Sequence, residues 1–331
     1  MKLATYKDGA RDGQLVVVSR DLALACYPSR IANRLQDILD DWNYFSPQLQ
    51  EVYDGLNAGR LRQAFPFDPA QCMAPLPRAY QWVEGAAYPQ ARDQLLPQST
   101  AAPAHPAMRQ GASDALGGAW DPIRVAGDAG TAVDFEAQLA VVTGDIPRGC
   151  AADSALEGVR LLMLANAVAL RDPATDAAAD LGVQCNPPPS FSPVAVTTDE
   201  LGDAWHRGRV HLTLQCSWNG RKVGLCNAGA GMAFHFGQLI ERLARVRNLR
   251  AGSIIGSGTV SNPGVGKKGS ISWPAGYSCI AEKRAMELLQ DGMVHTSFLQ
   301  PGDTIRIEMK TAGGDSLFGA IAQEVLPPLP A

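Results

Sequence analysis

The alternation of apolar and polar positions is clearest from Val133 to Asp145, and it predicts a half-buried strand closed by a turn at Thr143-Gly144-Asp145. Strand side chains point to alternate faces, so Phe135, Ala137, Leu139 and Val141 share one side, and Asp134, Glu136, Gln138 and Ala140 the other. Ahead of it, residues 1–28 alternate and turn at Asp8-Gly9 and Asp12-Gly13, with a buried strand from Leu15 to Val18. Helical spacing then carries Ile31, Leu35, Ile38, Leu39 and Trp42 after Ser29. A second helix is expected to open at Ser46-Pro47 and to carry Leu49, Val52, Tyr53 and Leu56. A proline-rich change of character at 64–74 divides the chain into a small N-terminal domain, 1–70, and a larger one, 71–331.

Downstream, the capping-box pattern Ser154-Ala155-Leu156-Glu157 predicts a helix running into the apolar residues 161–165. Strands are expected at 194–196 and 211–218, the latter turning at Asn219-Gly220, and again around 305–309 and 317–321. One amphipathic helix intervenes, with Phe236, Leu239, Ile240, Leu243 and Val246 on one face and Arg242, Arg245 and Arg247 in its last turns. The class is mixed α/β and rich in β.

Composition narrows the function more than the fold. With 331 residues, 46% hydrophobic and 19% charged, the chain can bury a substantial core. Lys plus Arg (29) against Asp plus Glu (33) gives 29 − 33 = −4, which offers no general attraction to nucleic acid or to an anionic membrane. No signal peptide or membrane-spanning run is present in the sequence, so a cytoplasmic location is expected. The seven cysteines are scattered, without a Cys-x-x-Cys pair, and argue against a disulfide framework or a structural zinc site.

Glu136 and Gln138, two positions apart on one strand, could grip a hard divalent cation if further carboxylates joined them. Several motifs decide whether they do: 76–82 (Leu76-Pro77-Arg78-Ala79-Tyr80-Gln81-Trp82), Val133-Asp134-Phe135-Glu136, Phe191-Ser192-Pro193, Asn248-Leu249, Gly302-Asp303, Phe318-Gly319 and, most specific, 255–262 (Ile255-Gly256-Ser257-Gly258-Thr259-Val260-Ser261-Asn262). Through them the chain resembles the fumarylacetoacetate hydrolase family over essentially its whole length. The resemblance implies a β-roll or barrel C-terminal domain behind a small N-terminal one, a homodimer, and hydrolysis of a carbon–carbon bond in a β-diketo acid. It also implies Mg²⁺ or Ca²⁺ on an Asp before the central strand, on both Glu of a Glu-x-Glu, and on the Asp of an Asn-Asp-Val-Ser-x-Arg-Asp run. A His activates water and a Lys polarises the substrate.

Carried over residue by residue, most of that chemistry is replaced. The first Asp falls on Glu84 and the His on Ala91. Glu-x-Glu becomes Glu136-Ala137-Gln138, Asn-Asp becomes Asn166-Ala167, and the Lys falls near Asn186. Two carboxylates do not offset the dehydration of Mg²⁺, so neither a metal ion nor another cofactor is expected. The candidate catalytic residues are Glu84 and Glu136, and the candidate substrate contacts are Gln138, Asn166, Arg109, Gly258 and Thr259, around an open pocket for an organic acid. Arg171 reads as half of an ion pair with Asp172. Three functions remain open. One is a metal-independent, repurposed enzyme of a specialised pathway, acting on a β-dicarbonyl or related acid by cyclisation, condensation, dehydration or carbon–carbon cleavage. The others are a non-catalytic ligand-binding or structural paralogue, and an ordinary metal-dependent hydrolase.

Overall fold

The computed structural model describes residues 1–90, 104–124, 132–171, 186–265 and 271–327. Its backbone is an eleven-stranded sheet among these residues. In spatial order its strands are Phe65–Pro66, Leu24–Cys26, Gln14–Val18, Lys2–Tyr6, Ala195–Val196, Val159–Asn166, Ala137–Thr143, Ser253–Gly256, Gln81–Gly85 and Met108–Gly111, with Ser190–Phe191 added on Val159–Asn166. Strands from both sides of residue 70 therefore lie in one ladder. A second sheet of five strands runs Arg221–Asn227, Thr213–Trp218, Thr304–Lys310, Ser316–Leu326 and Ile123–Arg124. Its hairpin turns at Asn219-Gly220, where φ is 50° and 75°, the pair of positive values that a two-residue type I′ turn needs.

The larger sheet is covered on both faces. Leu139, Val141, Leu162 and Leu164 face the second sheet and pack with Leu214, Ile307 and Phe318. The opposite face carries Ala140, Val142, Leu161 and Met163, packed with Leu35, Ile38, Leu49 and Tyr53 of the helical layer. The period-two assignment of Val133 to Asp145 thus holds from Ala137 onward, but the strand is not half-buried: all of Ala137–Thr143 is inside. Layers on both sides favour an almost uninterrupted apolar strand, in which Gln138 and the terminal Thr143 are the exceptions.

The expected strand is also two strands. Ala132–Asp134 leaves the ladder to pair with Ala169–Arg171, while Phe135 and Glu136 bridge across to Ala137–Thr143. The helix expected through 161–165 is corrected as well: it spans only Ala152–Leu156, and Val159–Asn166 is a strand paired with Ala137–Thr143. Gly158 separates the two, since a Cβ there would lie 2.1 Å from the Cδ1 of Ile146. A short, wholly apolar run fits a strand buried on both faces as well as a helix, and here long-range pairing decides. The N-terminal helices are Leu35–Asp40 and Trp42–Asn57. Pro47 lies inside the second rather than opening it, because Asp41 already starts that helix by accepting from Tyr44 and Phe45. Among the described residues no helix is long and apolar enough to cross a membrane.

The helix Ile280–Asp291 matters for the site, and Glu287 anchors its far end. That carboxylate accepts from the backbone of His295 (2.8 Å) and Thr296 (3.0 Å) and from the Thr296 hydroxyl (2.6 Å), and it pairs with Lys283 at 3.3 Å. Burial pushes its pKa upward, but these bonds outweigh burial and bring it down to about 2. A depressed carboxyl adds stability above its ordinary value near 4.5 and loses it as pH falls toward the folded value. Glu287→Gln should cost about 1–2 kcal/mol at pH 7, solvent screening limiting the loss. In urea denaturation the gap to wild type should narrow between pH 4.5 and 2; a gap constant across that range would refute the assignment.

Candidate active site

Three strands bring the polar groups together. Glu84 lies on Gln81–Gly85, in register with Gly256 on one side and Arg109 on the other. Gly256 in turn faces Ala140, two residues beyond Gln138. Gln138 is fully buried and uses both ends of its amide: Nε2 donates to Oε2 of Glu84 at 2.7 Å, and Oε1 accepts from the Gly258 N–H at 2.8 Å. A carboxylate needs a donor and an N–H needs an acceptor, so only one orientation of the amide serves both. Two glycines make room for it. A Cβ on Gly256 would lie 2.5 Å from Oε1 of Gln138, and one on Gly258, whose φ is +75°, would lie 2.2 Å from the carbonyl oxygen of Gly85.

Glu136 belongs to a different network. Its Oε1 accepts from Nη2 of Arg171, whose Nε reaches Oδ2 of Asp134 at 3.4 Å. Asp134 also accepts from the backbone N–H groups of Ile280 (2.6 Å) and Ala281 (3.0 Å), at the N-terminus of Ile280–Asp291 where the helix dipole favours negative charge. Arg171 is 1% exposed and Asp134 0%, so this is a buried charge cluster and not a surface pair. The expected partner of Arg171, Asp172, lies outside the described residues, as does Ala91. Sequence reading missed Asp134 and Arg171 as a pair; the available signal was an arginine ending an apolar run opposite a strand with two acids.

Glu84 and Glu136 open onto one cavity of about 240 Å³, also lined by Arg109, Met108, Tyr88 and the Gly258-Thr259 turn. Arg109 is exposed and, although opposite Glu84 in register, forms no ion pair among the described residues. Asn166 does not line the cavity. It is buried, accepting from the Glu136 N–H at 3.1 Å and donating to Gln323 at 2.9 Å. Ala167 holds the other side of Glu136, its N–H donating to the Glu136 carbonyl at 3.0 Å. Asn186, near which the resemblance places the lysine, accepts from the Leu170 N–H at 3.0 Å.

Removal from water pushes the Glu84 carboxyl up to about 7, and the nearby Glu136 carboxylate pushes the same way; the Gln138 hydrogen bond and the two arginines pull it back. Burial also raises Asp134, to about 6 against the pull of Arg171, which leaves it ionised at pH 7. With Arg171 compensating Asp134 and Glu136, Glu84 is the carboxyl poised to exchange a proton at neutral pH.

The profile described as Fumarylacetoacetase N-terminal domain 2 matches residues 1–78, and that of the Fumarylacetoacetate (FAA) hydrolase C-terminal matches residues 81–326. The chain belongs to the fumarylacetoacetate hydrolase family. No curated protein matches it. Solved structures of similar fold include a maleylpyruvate hydrolase from Sphingobium sp. SYK-6 in complex with manganese(II) and pyruvate, at 17% identity and TM-score 0.66, covering 99% of this chain and 100% of that one. Another is a probable 2-hydroxyhepta-2,4-diene-1,7-dioate isomerase from Mycobacterium abscessus, at 18% and 0.67, covering 100% of both. A third is the fumarylacetoacetate hydrolase of Exiguobacterium antarcticum, at 18% and 0.62, covering 99% of both. The mixed, strand-rich architecture with its N-terminal module is that of the family.

The residues at the family's cation position do not fit a divalent ion. Oε2 of Glu84 is held by an amide N–H, Oε1 of Glu136 by a guanidinium, Oε1 of Gln138 by a backbone N–H, and the Ala167 side chain offers no donor atom. Among the described residues no group of three or more His, Cys, Asp or Glu is arranged to hold a metal.

Proposed function

We propose that this member of the fumarylacetoacetate hydrolase family binds a small organic acid, a β-dicarbonyl or a related 2-oxo acid, and moves a proton on it without a metal ion. The observation that carries this reading is the cavity floor. Oε2 of Glu84 is fixed by Gln138, and the same cavity presents the guanidinium of Arg109, which forms no ion pair among the described residues. Arg109 takes the substrate carboxylate through its planar fork. Glu84, as carboxylate, removes a proton from the carbon next to a carbonyl, leaving an enolate, and returns that proton to carbon or oxygen; a pKa near ambient pH serves both directions. Enolisation of this kind is the step shared by cyclisation, condensation, dehydration and carbon–carbon cleavage of such acids. The hydrolase and isomerase named among the similar structures point to the same substrate chemistry.

The test is deuterium uptake at C3 of a series of 2-oxo acids in D₂O, followed by proton NMR. Saturable exchange above the buffer rate is expected. Glu84→Gln should slow it by roughly 10²–10⁴-fold, and Arg109→Met should raise the half-saturating concentration by on the order of tenfold or more while changing the maximal rate less. Binding of these acids without exchange would favour the non-catalytic reading; neither binding nor exchange would end the proposal.

A further inference from the structure

We infer that Gln138 is the residue that closes this site to divalent cations, its amide tying Glu84 to the 256–259 turn through a donor and an acceptor. The inference rests on the reading of the cavity as a metal-independent site. Nε2 is a donor and cannot ligate a metal, so an ion entering between Glu84 and Gln138 must break a charge-assisted hydrogen bond of 2.7 Å. Turning the amide over gives no relief. It would set Oε1 against the Glu84 carboxylate and Nε2 against the Gly258 N–H, two repulsive contacts in place of two bonds. Swinging the side chain aside is blocked too, because Gln138 is fully buried, seated over Gly256 where even a Cβ would meet both Oε1 and the Trp82 ring at 2.5 Å.

At Gln138 the obstruction is a single atom, Nε2. Gln138→Glu keeps the shape of the side chain and its bond from Gly258, and exchanges the Nε2 donor for an oxygen close to Oε2 of Glu84. Two anionic oxygens in that position, with Glu136 on the same cavity, have either to take up a proton or to hold a cation.

The experiment is a Mn²⁺ titration at pH 8, read by loss of the free-ion EPR signal and by thermal unfolding; neither readout uses a substrate, so failure of the proposed reaction leaves it intact. Wild type should show no Mn²⁺ binding in the submillimolar range. Gln138→Glu should bind one Mn²⁺ per chain with affinity raised on the order of thirtyfold or more, and its unfolding temperature should rise with Mn²⁺. A second variant, Ala167→Asp, restores a carboxylate but keeps the amide, and should remain without Mn²⁺; this arm decides the matter if Gln138→Glu does not fold. Stoichiometric binding by wild type or by Ala167→Asp, or a folded Gln138→Glu that ignores Mn²⁺, overturns the inference.

Discussion

Replacing Arg171 by Met should lower the free energy of unfolding by about 3–5 kcal/mol at pH 7. The guanidinium is buried and contacts both Asp134 and Glu136. Methionine fills much of its volume, so the loss comes from two carboxylates left in the interior without their cation. Asp134 keeps its two helix N–H donors, whereas Glu136 keeps no side-chain partner among the described residues. In the variant Asp134, already raised to about 6 by burial, loses the pull of Arg171 and titrates higher still, so stability relative to wild type falls as pH rises through that window and the deficit shrinks as pH drops below 6. Adding Asp134→Asn to Arg171→Met should recover part of the loss, because it removes one uncompensated charge. Urea denaturation of the single and double variants checks this. A deficit below about 1 kcal/mol, the range of an exposed ion pair, would mean that the cluster is not electrostatically closed.

Gly258→Ala should be the other severe change, costing about 2–4 kcal/mol and loosening the grip on Glu84. Two effects add. The residue sits at φ +75°, which L side chains adopt reluctantly, and the new Cβ would approach the backbone oxygen of Gly85 to 2.2 Å. That oxygen belongs to a paired strand and cannot rotate away, so the 256–259 turn has to lift and take the Gly258 N–H from Gln138. Gly314→Ala provides the comparison: φ is +92° there, with nothing within 4 Å of the added carbon. It should lose only the conformational part, about 1 kcal/mol. Equal urea midpoints for the two variants would show that the close approach to Gly85 carries no energy.

What was legible in the sequence, and what was not, follows from the range over which each feature is decided. The Asn219-Gly220 turn needs only the φ preferences of two adjacent residues. The faces of Ala137–Thr143 follow from period two alone. The strand Val159–Asn166 misled, because residues 161–165 carry no polar position to fix a period, and the pairing that makes them a strand lies elsewhere in the chain. Glu136 and Gln138 were placed on one side of one strand, but the break at Phe135 and Glu136 gives them separate partners. Those partners are 35 residues away for Glu136 and 54 for Gln138. Asn166 shows the same limit: its amide reaches Gln323, 157 residues distant, and props the backbone of Glu136 from behind the cavity.

The continuity of the large sheet across residue 70 also bears on how the molecule is assembled in time. Lys2–Tyr6 finds one neighbour at once, in the Gln14–Val18 hairpin, but the other, Ala195–Val196, sits opposite it only after Leu3 has met Ala195. Closing so long a loop is entropically costly before any contact repays it, and chains rich in such pairings fold slowly. Until then the outer edge of Lys2–Tyr6, with Leu3 and Ala4 on it, has unpaired N–H and C=O groups and apolar side chains in the open, the combination that invites a strand from another molecule. The same seam that makes the two halves one sheet therefore gives the growing or refolding chain a sticky edge, and the Ala195–Val196 strand is the piece that seals it.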